Sequence, residues 1–195
     1  MIDLLKRGFA EQMVADEISD VLRRHSTTAS TDDLEQLATA LEQFLLTVPD
    51  ALAQALAMSK DRRCGRAVAF ATGTIFNYLF DEEDLLPEAS FGTIGLLDDA
   101  YLVHGFAAML RRAYPFVEAP TAYAAPDDRL FGVVAALLPE GVAQSLLRTC
   151  ESTVQVAQAL FPAAQGDGSS GSDFRPELRV EQAVKALTGE PARTE

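Results

Sequence analysis

Positive charge is scarce in this chain of 195 residues: 16 Lys and Arg stand against 29 Asp and Glu, a formal net charge of -13. A surface of that sign repels phosphate over most of its area, which excludes sequence-independent nucleic-acid binding. Cysteine is scarcer still. Cys64 and Cys150 lie far apart without CxxC spacing, so no disulfide framework is written in, and a reducing, cytoplasmic setting is expected. Long apolar runs are missing as well: residues 67–80 fall short of the roughly 20 needed to span a bilayer. The start, Met1-Ile2-Asp3-Leu4-Leu5-Lys6-Arg7, lacks the order of a secretory signal, in which positive charge precedes an apolar run. No alternating apolar run suggests a sheet. There is no HExxH, no phosphate-binding Walker loop and no dinucleotide-binding glycine fingerprint. Ser90 and Ser145 lack the glycine context of a nucleophile elbow, and the two histidines, His25 and His104, are far apart.

What is present reads as helix almost throughout. A chain of this length forms one domain and buries roughly 70% of its unfolded surface. Leu5, Phe9, Val14, Ile18, Val21 and Leu22 make one stripe at helical spacing; Leu34, Leu37, Leu41, Phe44 and Leu45 make a second. Thr31 with Asp32 and Asp33 is a helix start, and Pro49 suits the first turn of a third helix. Residues 63–80 are more uniformly apolar, which predicts a central helix. Pro115, Pro120 and Pro126 make the stretch 114–128 a broken connection. Asp127 and Asp128 open another helix, Pro139-Glu140-Gly141 interrupts it, and Leu146, Cys150, Val154, Ala157 and Phe161 mark one face of a long last one. The expectation is an all-α, single-domain bundle of about six to eight helices over residues 1–162. A Gly/Ser-rich linker follows at 163–175, expected to be mobile. The tail at 176–195 carries a short helical pattern, Val180 to Leu187.

The distribution of charge points to one region. Residues 67–110 hold Asp81, Glu82, Glu83, Asp84, Glu88, Asp98 and Asp99 but no Lys or Arg. Lys60, Arg62, Arg63 and Arg66 stand before them, and Arg111 and Arg112 after. The basic residues either cap and solvate helix ends or pair with the acids or an anionic partner. Gly65, Ala69 and Gly73 recur every four residues, so the small-residue face predicts close approach of the helix that follows the acidic turn, with Asn77 on the same line. Those two helices form an antiparallel hairpin in this reading. Asp98 shares a face with Leu102 and Gly105, and Asp99 with Val103 and Phe106, so at least one carboxylate is expected to be partly buried.

Unpaired buried charge is expensive, which leaves three fates for the pair. The aspartates cap the start of their helix, each such cap being worth ~1 kcal/mol. They accept hydrogen bonds from Asn77, Tyr78, Tyr101, Arg63 or Arg66. Or, with Asp84, they bind a divalent cation. The candidate binding residues are therefore Asp84, Asp98, Asp99, Asn77 and Tyr78, with Asp84, Asp98 and Asp99 the candidate metal ligands. Asp84 also suits a turn before Leu85-Leu86-Pro87. His104, on an apolar helix, reads as a satisfied core histidine. Cys64 among Arg62, Arg63 and Arg66 is either a packing residue or, if exposed, an acidified thiol.

The order Tyr78-Leu79-Phe80, then Asp84-Leu85-Leu86-Pro87, then Gly95-Leu96-Leu97-Asp98-Asp99 resembles the signature of the YkvA-like domain, a small helical family of unknown function. Tyr78, Asp84, Pro87, Gly95, Asp98 and Asp99 fall on it; Glu88 and Leu96 depart from it, as does the spacer Asp81-Glu82-Glu83. The resemblance covers about residues 66–110. It implies a helical hairpin in which Pro87, Gly95 and Gly73 are structural, and the membrane attachment of some members raises peripheral membrane contact. Bilayer insertion of Asp98 and Asp99 would cost on the order of 3 kcal/mol each, although the flanking arginines suit a shallow contact with an anionic leaflet. The functional expectation is a non-catalytic interaction or scaffold protein without cofactor, binding a protein partner or itself. The alternatives are a metal-dependent enzyme on the aspartate cluster and a peripheral membrane protein.

Overall fold

Local chemistry sets several helix starts. In the computed structural model, which describes residues 15–25, 29–79, 95–118 and 123–163, seven helices follow one another without a strand among the described residues. They are α1 (Ala15–His25), α2 (Thr31–Leu46), α3 (Val48–Met58), α4 (Gly65–Leu79), α5 (Leu96–Ala113), α6 (Asp128–Leu137) and α7 (Val142–Leu160). The Ser30 hydroxyl caps α2 by accepting the Asp33 N–H at 3.2 Å, one residue earlier than the sequence suggested. Pro49 lies in the first turn of α3, where its missing N–H costs nothing. The Asp127 carboxylate caps α6 by accepting the Leu130 N–H at 2.7 Å. Gly141 precedes α7 with φ of 83°, a conformation that disfavours any residue with a Cβ. Leu5, Phe9, residues 80–94, and the expected linker and tail beyond Ala163 lie outside the described residues.

The all-α bundle expected from the sequence is the observed architecture. Its centre is α5. Residues Leu96 to Ala107 are buried without interruption, because α7 packs along one side of the helix and α3 along another, with α2 and α6 adding contacts. A helix enclosed in this way is covered all round. The core joins Phe44, Leu45 and Val48 with Leu102, Val103, Phe106 and Leu110 of α5 and Leu146, Cys150 and Val154 of α7.

Two expectations about α4 are corrected. It is not the central helix: Ala67, Val68, Ala71, Thr72 and Ile75 are buried, but Ala69, Phe70, Gly73 and Thr74 face solvent. Its main neighbours are α7 and α3; it touches α5 less extensively. Nor is Gly73 a close-packing residue, since a Cβ there would meet no atom within 4 Å. Close approach is made by Gly105 of α5, where a Cβ would stand 3.0 Å from Leu147 Cδ2 of α7, and by Gly65, where it would collide with the Ser59 carbonyl oxygen. Spacing located a small-residue stripe, but only tertiary packing decides whether a neighbour covers it.

Candidate functional site

The aspartates sit in the first turn of α5, beginning just after Gly95, which is itself buried. Asp98 is 0% exposed and Asp99 8%, so both carboxylates are inside, where at least one was expected. The Asp98 Oδ1 accepts the Asp99 N–H at 2.9 Å, which sets a carboxyl oxygen against the positive end of the helix dipole. Neither aspartate is without a partner, and the same holds for Tyr78. Farther along the Asp98 face, the Leu102 carbonyl accepts from the Cys150 thiol at 3.3 Å, and Gly105 meets α7. That face of α5 is therefore the one pressed against α7. Arg111 and Arg112 occupy the last turn, so the helix carries acids at its start and bases at its end, as the macrodipole favours.

One proposed partner of the aspartates, Arg63, is engaged elsewhere. Arg63 grips Asp61 through two contacts, Nη2 to Oδ2 at 2.7 Å and Nε to Oδ1 at 3.1 Å, and donates to the Phe116 carbonyl at 3.1 Å. Its guanidinium also stacks over the Phe116 ring, 4.5 Å from the centroid. The hydrogen bonds from Arg63 hold the Asp61 carboxyl down at about 2. Asn77 is exposed, and Tyr101 is buried against Phe131 with ring centroids 4.6 Å apart. The acidified-thiol option for Cys64 is corrected too: the side chain is buried, and desolvation raises its pKa despite the arginines nearby. Cys150 is likewise buried and pushed up to about 12 by desolvation. Both cysteines are packing residues.

Asp84 and Pro87 lie outside the described residues. Among the described residues, no three His, Cys, Asp or Glu side chains gather to hold a metal ion. No helix among them is long and apolar enough to cross a membrane.

His104 is a buried polar side chain of α5 held at both ring nitrogens. It is 1% exposed, and its Nε2 lies 2.8 Å from the Phe44 carbonyl oxygen, its Nδ1 2.6 Å from the Tyr123 hydroxyl. A carbonyl can only accept, so Nε2 carries the proton and the Tyr123 O–H donates to Nδ1. Burial drives the imidazole pKa down from 6.5 to about 4, and raises that of Tyr123. One neutral ring thus joins the end of α2, the middle of α5 and the 114–127 connection. The sequence indicated a satisfied core histidine, but gave no sign of Tyr123, whose position depends on how the proline-broken connection folds back. Sequence reasoning also passed over Gln54 of α3, which is buried without a hydrogen-bond partner to either amide atom among the described residues.

Compared with protein-family models, curated proteins and solved structures, the chain matches none.

Proposed function

We propose that this protein is a non-catalytic helical interaction module that binds a protein partner, or a second copy of itself, through the outward face of α4. The observation that carries this reading is the character of that face. Ala69, Phe70, Gly73, Thr74 and Asn77 follow helical spacing along it and all are exposed, and no charged residue occurs between positions 67 and 79. On a chain with a net charge of -13, a solvent-facing strip without charge, centred on a 40% exposed phenylalanine, has the composition of an interface.

The aspartates support a structural role in the same reading. A metal centre needs carboxylate lone pairs directed at a cation. Asp98 is fully buried and directs one oxygen at a backbone N–H. The likeness of Tyr78, Gly95, Asp98 and Asp99 to the YkvA-like signature belongs to this proposal as a helical scaffold pattern.

The test compares the wild type with Phe70→Ser, a position outside the buried core. Sedimentation velocity over a range of concentrations, and affinity capture from the source cell, are run on both. The reading expects self-association or specific capture that Phe70→Ser weakens at least tenfold. Equal behaviour of the two proteins overturns it. Calorimetric binding of Mg²⁺, Mn²⁺ or Ca²⁺ that disappears in Asp98→Asn would replace it with the metal reading.

A further inference from the structure

Extending this reading of the α4 face as an interaction surface, we propose that the chain carries its own competitor for it: the segment from Val180 to Leu187 docks on α4 in cis and covers Phe70. Three observations converge. First, the described chain ends at Ala163, beside the face in question, because the Phe161 ring at the end of α7 lies 5.8 Å from that of Phe70. The last described residues thus lie at the edge of the strip. Second, Val180, Ala183, Val184 and Leu187 follow the i, i+3, i+4, i+7 spacing of one helical face, while Glu181, Gln182 and Lys185 fall off it. A narrow apolar stripe of this kind suits an uncharged strip with a single large apolar side chain, where a charged surface would reject it. Third, the distances match. The Gly/Ser-containing spacer 164–179 has a root-mean-square reach on the order of 20 Å for a flexible chain of that length. The 15 residues of α4 extend about 22 Å. A tether matched to its span gives an effective concentration in the millimolar range, so a stripe too short to compete as a separate peptide competes as part of the chain. The face is then available to a partner only when the tail is displaced.

The experiment is hydrogen exchange on the full-length protein, followed by mass spectrometry at two concentrations differing about twentyfold. Three proteins are compared: wild type, Val184→Glu/Leu187→Glu and Phe70→Ser. In the wild type the amides of 182–187 are expected to exchange at least tenfold more slowly than in an unstructured peptide of the same sequence. Both variants abolish that protection, while the amides of α5 remain protected. Protection that grows with concentration would assign the segment to a second copy and overturn docking in cis. Protection that survives Phe70→Ser would place it elsewhere, and exchange at the unstructured rate in the wild type would remove it altogether. Failure of the interaction reading is separately visible. In that case the double variant loses tail protection yet binds partners or itself no more tightly than wild type, whereas the two readings together expect an increase of at least fivefold.

Discussion

Acidification from pH 7 to pH 5 should weaken this fold through His104. The folded-state pKa of about 4 lies below the ordinary 6.5, so the unfolded chain takes up the proton first. Stability contributed by this group is present above pH 6.5 and is lost as pH falls towards the folded value. With those two constants the loss between pH 7 and pH 5 is about 2 kcal/mol. It arises because an imidazolium would bring a positive charge into a core site, and would turn the Nδ1 acceptor of the Tyr123 hydroxyl into a donor. Urea unfolding followed by far-ultraviolet circular dichroism, repeated at half-unit steps, reads the loss directly. His104→Gln provides the control: it lowers stability at pH 7 by about 1–3 kcal/mol, since the Phe44 and Tyr123 partners are disturbed, but it cannot titrate. The other histidine, His25, is common to both proteins. The wild-type curve should therefore fall towards that of the variant by pH 5. Parallel curves for the two proteins would show that His104 is not held neutral in the fold, and would refute the reasoning.

Other positions give equally definite outcomes. Gly73→Ala should raise stability by about 0.5–1 kcal/mol, because the new methyl group meets open space and a helix interior favours alanine. Gly65→Ala should lower it by about 1–3 kcal/mol, because its methyl group would press on the Ser59 carbonyl oxygen. Chemical denaturation of the pair checks both, and a stabilising Gly65→Ala would contradict the packing described. Cys64 and Cys150 should resist thiol reagents in the native state at neutral pH and react only on unfolding, since both are buried with raised pKa values. A mass-shift assay with iodoacetamide decides this, and rapid native labelling of either would argue against it.

Helix starts and stops were legible in the sequence because caps and breakers act over three or four residues. Pro49, Asp127 and Gly141 do in the structure what their chemistry indicates. The location of the centre was not. Residues 63–80 have the more uniform apolar composition, yet α5, with Asp98, Asp99 and His104 in its sequence, is the enclosed helix. Enclosure depends on α7 and α3 converging on α5 from distant parts of the chain, and no local window contains that. The same limit explains Gly73 and Gly105: period fixes which residues share a face, not which face finds a neighbour. Burial of the aspartates was foreseeable from the apolar residues around them. That Arg63 would prefer Asp61, two residues away, depends on the turn before α4 and on the position of Phe116.

The account depends most on Asp98 serving the fold from within, and thermal unfolding of Asp98→Ala with and without millimolar Mg²⁺, Mn²⁺ or Ca²⁺ tests this most directly. Loss of this buried acceptor, which leaves the Asp99 N–H without it, costs about 2 kcal/mol, which for a chain of this size lowers Tm by roughly 4–8 °C; the cations should leave wild type and variant unchanged. A variant as stable as wild type, or a wild-type Tm that rises with a cation while that of the variant does not, would contradict it.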